Sequence, residues 1–416
     1  MSKQQNGVVN ASSFAWNTIG SILSAGSSFV LLSCVTQAIG AADGGIFAFA
    51  FSSAQLMLTV GKYGVRSYQA TDVNKEISVS TYFVSRVMSC LLMMLLCVGM
   101  VLVLGYHGAS ASVITAVGLL KMVDAVEDVY HGQMQLNNKL DTAGKLLALR
   151  NLFSMVLFAA LIFATGQLKL TCWVTAVASL FLCIAINHPV LARMERIGFH
   201  WNGGELRRLT LACLPLFIGH FLSLYIYNAP KYAIEMYCSS EIQTYYNVIF
   251  MPAFAINLLS EFVFKPLLTS LALWWDGGEI GKFKKLVFKM IAYIFGLTLV
   301  ILIGTYFVGA PLLSLVFGVD IAPYRTELML LMFGGGFGAI VYFLYNVLAS
   351  MRSQGAVLIN YGVAAAVITA IAFWAVKDHG ITAASLSYVI AEIILGVLMI
   401  VSVAMGIRRR QQKGGD

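Results

Sequence analysis

The stretch SASVITAVGLLKMVDAVEDVYHGQMQL, residues 110–136, decides how this chain is read. It is apolar over enough residues to cross a bilayer as a helix. Within it Lys121, Asp124, Asp128, His131 and Gln135 recur at a 3-4-3-4 spacing. At 100° per residue those five side chains fall in one narrow stripe. Ionisable groups are costly against lipid, so such a stripe belongs to a bundle interior or a water-filled pathway.

The rest of the chain has the same character. Of its 416 residues 59% are hydrophobic and 11% charged, and the mean hydropathy is +0.82. A soluble domain carries about 25% charged residues, so an ordinary cytosolic enzyme is excluded. Disorder is excluded too, because it needs low hydrophobicity. Twelve apolar segments of helical length fall at 12–39, 43–64, 81–106, 110–136, 145–166, 169–191, 209–236, 243–271, 286–308, 325–350, 355–376 and 381–405. Runs of this length without alternation predict helices, since an isolated strand in lipid leaves its backbone unpaired. The connections are short and hold no soluble catalytic domain. The start, MSKQQNGVVNASSF, has one lysine and no small-residue cleavage site after the first apolar run. The first segment is therefore expected to remain as a membrane helix.

Basic residues orient the chain. With a cytoplasmic N-terminus, Lys3, the even-to-odd connections and the tail carry 22 of them, while the opposite side has Lys169, Arg325 and Lys377. The 22 include Lys62, Arg66, Lys75 and Arg86 after the second span, and Arg408, Arg409, Arg410 and Lys413 at the end. Lys121 and Lys231 are the two left inside spans. The net charge of +8 is thus a topological label, not a nucleic-acid surface. The long basic connection 192–208 divides the chain into two sets of six spans, 1–200 and 201–416, with the loop rhythm of a duplicated transporter.

Other spans carry polar stripes. In the seventh, His220, Ser223, Tyr227, Lys231 and Glu235 align with Asn228 at the edge, and Pro215 and Pro230 could kink the helix. The first aligns Asn17, Ser21, Ser24 and Ser28, the eighth Asn247, Asn257 and Glu261, and the last Ser385, Tyr388 and Glu392. Two readings compete: Lys121 with Asp124 and Lys231 with Glu235 as internal ion pairs, or a shared water-filled cavity. Arg66 and Arg150, near cytoplasmic helix ends, are expected to snorkel to headgroups. The run Gly334, Gly335, Gly336, Phe337, Gly338 lacks the Lys-Ser/Thr of a phosphate loop and lies within a span, which points to helix packing or bending. The seven cysteines form no CxxC pair, and no metal or catalytic signature is present.

Several stretches together resemble the polysaccharide-transporter branch of the multidrug/oligosaccharidyl-lipid/polysaccharide superfamily. They are YGVRSYQATDV at 63–73, NAPKYAIEMY at 228–237, YYNVIFMP at 245–252, PLLSLVFGVDIAPYRTELMLL at 311–331 and GITAASLSYVIAE at 380–392. The resemblance implies an all-α integral membrane protein with about 12 transmembrane helices. These would form two six-helix bundles around a central cavity, with both termini cytoplasmic in a bacterial inner membrane. It also implies a flippase for an undecaprenyl-diphosphate-linked oligosaccharide.

A pyrophosphate needs cations, which makes Lys231, Lys121 and Arg66 the expected anion ligands. Tyr227, Asn228, Asn247 and Asn257 are expected to meet sugar. A driving proton or sodium ion would act on Asp124, Asp128, Glu235 or Glu392. No cofactor, catalytic residue or nucleic-acid partner is expected; membrane lipid and the glycosyltransferases and polymerase of the same pathway are the expected partners. The alternatives are a drug/cation antiporter of the same superfamily and, from another class, a membrane glycan polymerase or ligase. The latter needs a long basic outer loop, and the longest here, 309–324, has no basic residue or histidine.

Overall fold

The structure, a computed structural model, describes residues 11–70, 72, 74–195, 198 and 200–413. Their side chains are described except at 11–14, 254–255, 257–270, 272, 354 and 413. The described chain is helical, without strands. The helices are α1 (Ala11–Ile39), α2 (Ala41–Lys62), α3 (Val65–Gln69), α4 (Val79–Val103), α5 (Gly108–Leu136), α6 (Leu140–Thr165), α7 (Leu168–Ala192), α8 (Gly203–Tyr237), α9 (Ser240–Asp276), α10 (Ile280–Gly304), α11 (Ala310–Phe317), α12 (Arg325–Ser350) and α13 (Gln354–Lys413).

Among the described residues ten helical stretches are long and apolar enough to cross a membrane. One of them is double: α13 breaks at Gly380, whose φ of 53° and ψ of −132° are non-helical. Glycine supplies that positive φ without a Cβ clash. The 37-residue α9 covers the eighth predicted span. The chain is thus a multi-pass helical membrane protein with about the expected number of spans.

Ends form where local chemistry stops or starts a helix. Ser78 caps α4 by accepting from the Thr81 amide, and Ser239 caps α9 by accepting from the Ile242 amide. Gly166 and Gly318 close α6 and α11 in the left-handed region.

Two boundaries differ from the sequence expectation. The ninth span does not end at 308: it continues through a π-turn, Thr305–Gly309, into α11. Pro311 is tolerated there because it sits in the first turn of α11. The expected outer loop 309–324 is correspondingly short. A second difference is α3, a five-residue helix that lifts Arg66 out of the supposed loop.

The chain forms two compact units. The first comprises the chain through Ile39 and Ala50–His220; the second comprises Gly40–Phe49 and the chain from Phe221. In the first, α5 is surrounded, packing on α3, α4, α6 and α7, while α1 lies along α6. In the second, α12 packs on α9, α10 and α13. The glycine run of α12 makes that close packing. A Cβ on Gly335 would stand 3.0 Å from the Ala253 backbone, and one on Gly336 would stand 2.3 Å from Thr298. Outward faces are apolar: Leu95, Val103, Phe288, Val300 and Leu315 are exposed. Charge turns inward, the pattern of a protein solvated by lipid.

Candidate functional site

The polar stripe of α5 is the centre of a buried charge network in the first unit. Its carboxylates Asp124, Glu127 and Asp128 are three and four residues apart, so they share one side of the helix. Neighbouring helices bring cations to them. Arg150 of α6 reaches Glu127 at 2.7 Å through Nε and Asp124 at 2.6 Å through Nη2. Arg86 of α4 reaches Asp128 at 2.9 Å and also donates to the Gly61 carbonyl. Arg66 of α3 lies 3.6 Å from Asp128 and donates to Gln135 Oε1 at 3.2 Å. Lys121 pairs with Asp124 at 3.0 Å, and its ammonium lies 4.3 Å from the centroid of the Phe51 ring. His131 Nε2 is 3.7 Å from Glu127. Gln69 of α3 donates to the Val129 carbonyl and to Gln133 Oε1, fixing α3 on α5.

Cations outnumber carboxylates in this network. Arg66, Arg86, Lys121 and Arg150 face Asp124, Glu127 and Asp128, and Lys62 at the end of α2 adds further positive potential at Asp124 and Asp128. Arg150 is only 2% exposed and Glu127 only 1%, whereas Arg66 is 31% exposed and is the open member. Buried pairs gain little net stability, because desolvation offsets the attraction. A chain that keeps so many therefore uses them for more than cohesion.

This geometry corrects three sequence expectations. Arg150 does not snorkel: it is turned inward and paired. Arg86, counted as a cytoplasmic loop charge, is buried within α4. Lys121 and Lys231 are therefore not the only cations inside spans. The Lys121–Asp124 ion pair, one of the two readings of the stripe, is present. Glu127 was missed because it lies off the 3-4-3-4 stripe, although its place three residues after Asp124 puts it within reach of the same guanidinium.

At one end of the first unit, the segment between α3 and α4 is held by acids. Asp72 accepts from the Glu76 and Ile77 amides and from the Tyr82 hydroxyl. Glu205 accepts from the Ser78 amide and from the Ser78 and Thr81 hydroxyls. Arg208 pairs with Glu76. Lys75 meets Glu195 at 2.8 Å, with Asn137 and Gln133 also donating to that carboxylate. The Lys75 ammonium and these amides hold the Glu195 carboxyl below the usual glutamate range. A depressed carboxyl stabilises the folded form at neutral pH, and the benefit is lost as pH falls through the carboxylate range. Amide exchange in residues 74–82 is therefore expected to speed up, beyond its intrinsic pH dependence, between pH 7 and pH 4. Glu195→Gln should already be faster at pH 7 around Lys75 and lose only its own share of that added dependence, because Glu205 still accepts from Ser78 and Thr81.

The second unit holds an aromatic site. Tyr227 and Lys231 of α8, Tyr246 and Phe250 of α9 and Tyr388 of α13 come together. Ring centroids lie 6.0 Å apart for Tyr227–Phe250, 5.6 Å for Tyr227–Tyr388, 4.9 Å for Phe250–Tyr388 and 5.8 Å for Tyr246–Phe250. The Lys231 ammonium stands 4.8 Å from the Phe250 centroid, a cation–π arrangement. Glu392, 1% exposed, acts electrostatically on Tyr227, Tyr361 and Tyr388. Its Oε2 and the Tyr246 hydroxyl have no hydrogen-bond partner among the described residues.

Asn228 and Asn247 are buried and donate their amides to carbonyls of their own helices, Leu224 and Gln243. Glu235 is half-buried one turn beyond Lys231. The Asn257 and Glu261 side chains lie outside the described residues. Ser385, Tyr388 and Glu392 are all buried on α13, and His220 is exposed. All seven cysteines are free thiols.

A two-unit, all-helical membrane protein with charge-lined interiors defines a class, and solved structures share its architecture. No protein-family model matches the sequence, and no curated protein matches it. A multidrug resistance MATE family transporter of the MOP superfamily, in its inward-facing conformation, matches over 96% of this chain and 99% of its own, with a TM-score of 0.73 at 11% identity. The lipid II flippase MurJ, inward closed, matches over 94% and 90% with a TM-score of 0.71 at 12% identity. A MOP superfamily transporter from Pyrococcus furiosus, whose reversed binding-pocket polarity suggests a different function, matches over 95% of each chain with a TM-score of 0.60 at 13% identity. At these identities the likeness establishes the fold: the chain has the fold of MOP superfamily transporters, a multidrug resistance transporter and a lipid flippase among them.

Proposed function

We propose that the chain is a flippase that moves an undecaprenyl-diphosphate-linked oligosaccharide across the bacterial cytoplasmic membrane by alternating access, with both termini in the cytoplasm. The observation that carries the reading is the cationic excess of the α5 network. An exporter of cations needs a net negative site, whereas a diphosphate needs guanidinium and ammonium donors. Pocket polarity likewise suggests a different function for the Pyrococcus furiosus transporter.

Arg66, as the open member of the network, and Lys231, on its aromatic platform, are the proposed diphosphate ligands. Lys121, held by Asp124 and covered by Phe51, contributes its charge. Tyr227 offers a stacking face to sugar, with Asn228, Asn247 and Asn257 as polar contacts. Because Asp124 and Asp128 are tied to arginines, a coupling proton or sodium ion is assigned to Glu392, whose Oε2 lacks a partner among the described residues, with Glu235 beside Lys231. Glycosyltransferases and a polymerase of the same pathway are the proposed partners.

The antiporter reading is favoured by one observation, the buried acid Glu392 among tyrosines, which could hold a cation. Binding by the purified chain separates the two. Undecaprenyl-diphosphate-linked sugar is expected to raise the melting temperature saturably while tetraphenylphosphonium does not. Stabilisation by the cation alone would establish the exporter and refute the flippase.

A further inference from the structure

The second unit carries a cleft of about 320 Å³ between α10, α12 and α13, within the range of small-ligand pockets. Val287 and Ile291 of α10, Leu344 of α12, and Ile400, Val403, Ala404 and Ile407 of α13 form its walls. Lys284, Arg408 and Gln411 also line it. Lys284 lies near the start of α10, whereas Arg408 and Gln411 lie near the end of α13. The Lys284 ammonium donates to Gln411 Oε1 at 3.4 Å. The two helices therefore run antiparallel, with their basic residues together at one mouth and aliphatic residues behind.

The surroundings of the cleft are lipid-facing, with Phe288 and Phe295 of α10 and Val397, Val401 and Met405 of α13 exposed beside it. Three of the neighbouring bases are occupied elsewhere, and Lys285, Lys289 and Arg409 do not line the cleft. Lys282 pairs with Glu279, Arg352 with Asp276, and Arg410 donates to the Asp276 carbonyl while stacking on Trp275. Lys284 and Arg408 are exposed and have no ion-pair partner among the described residues. Two uncompensated cations of different helices thus stand over an aliphatic slot that opens to the membrane.

We infer that this cleft is a binding site for an acidic phospholipid of the surrounding membrane, its phosphate on Lys284 and Arg408 and one acyl chain along Val287, Ile291, Val403 and Ile407. Basic pockets between transmembrane helices recognise anionic headgroups in this way. The aliphatic wall selects a chain over a soluble anion, and the cation pair selects an acidic headgroup over a zwitterionic one. The inference rests on the membrane-spanning fold and is independent of what the chain transports.

Native mass spectrometry of the delipidated chain, titrated with phosphatidylglycerol or with phosphatidylcholine of the same acyl chains, tests it. One phosphatidylglycerol is expected to bind about tenfold more tightly than phosphatidylcholine. The double variant Lys284→Gln/Arg408→Gln should reduce that preference to near unity. Ala404→Trp, which fills the slot and leaves both charges, should weaken both lipids. Lys282→Gln, a base already paired with Glu279, should change nothing. All are surface positions, and unchanged melting temperatures show that the variants fold. Equal affinity for the two phospholipids, or a preference that survives both the double variant and Ala404→Trp, would overturn the proposal. So would selective displacement of phosphatidylglycerol by equimolar undecaprenyl diphosphate, which would reassign the cleft to the prenyl lipid.

Discussion

Replacing Arg150 by methionine is expected to cost roughly 3–5 kcal/mol of stability, because breaking a buried pair strands its partner's charge. For a unit of this size that corresponds to a fall in melting temperature of about 10 °C. Glu127, 1% exposed, would lose its 2.7 Å contact with Nε, and Asp124 its 2.6 Å contact with Nη2. Asp124 keeps Lys121 at 3.0 Å, but Glu127 keeps only His131 at 3.7 Å. The damage should therefore be carried mostly by Glu127. Adding Glu127→Gln to Arg150→Met is expected to recover at least half of the lost melting temperature, although a second native residue has been removed. Thermal unfolding of the purified variants reads both values. If Arg150→Met melts with the parent chain, the buried network is not what holds α5 and α6 together.

The second large effect is on transport. Lys231→Ala removes the ammonium above Phe250 while leaving the Tyr227, Phe250 and Tyr388 rings in place. Charge-assisted hydrogen bonds contribute about 1.5–3 kcal/mol each, so losing one or two contacts to a diphosphate should lower export by roughly tenfold to a hundredfold or more. Lys231→Arg, which keeps the charge and its cation–π partner, should retain a measurable fraction. Surface polysaccharide, measured in cells that depend on this chain and express each variant equally, reads the difference. Unchanged export in Lys231→Ala would remove Lys231 from the mechanism.

Much of the fold was legible in the sequence because lipid makes hydropathy diagnostic. Each apolar segment has to satisfy its own backbone, and the spans, the α5 stripe and the packing role of Gly335 and Gly336 follow from that. Arg86 and Arg150 escaped because both lie within a few residues of predicted span ends, where a long side chain can either reach headgroups or fold inward. Hydropathy does not separate those outcomes. One signal was available: Asp124, Glu127 and Asp128 within five residues cannot be neutralised by Lys121 alone, so other helices had to supply bases. Joining Arg66 to Asp128 depended on α3, whose five residues carry too weak a periodicity to stand out. The orphan Oε2 of Glu392 and the self-bonded amides of Asn228 and Asn247 are matters of rotamer and neighbour, which sequence spacing does not record.

Movement of a diphosphate-linked lipid, the proposed activity, is tested most directly by reconstitution. The purified chain is placed in vesicles carrying a fluorescent undecaprenyl-diphosphate-linked oligosaccharide, and inner-leaflet lipid reaching the outer leaflet is scored by a membrane-impermeant lectin. In parallel, vesicles loaded with tetraphenylphosphonium are followed for efflux under imposed proton or sodium gradients. Translocation of the glycolipid well above protein-free vesicles, with no cation efflux, is the expected result. Cation efflux with the glycolipid left in its original leaflet would contradict it.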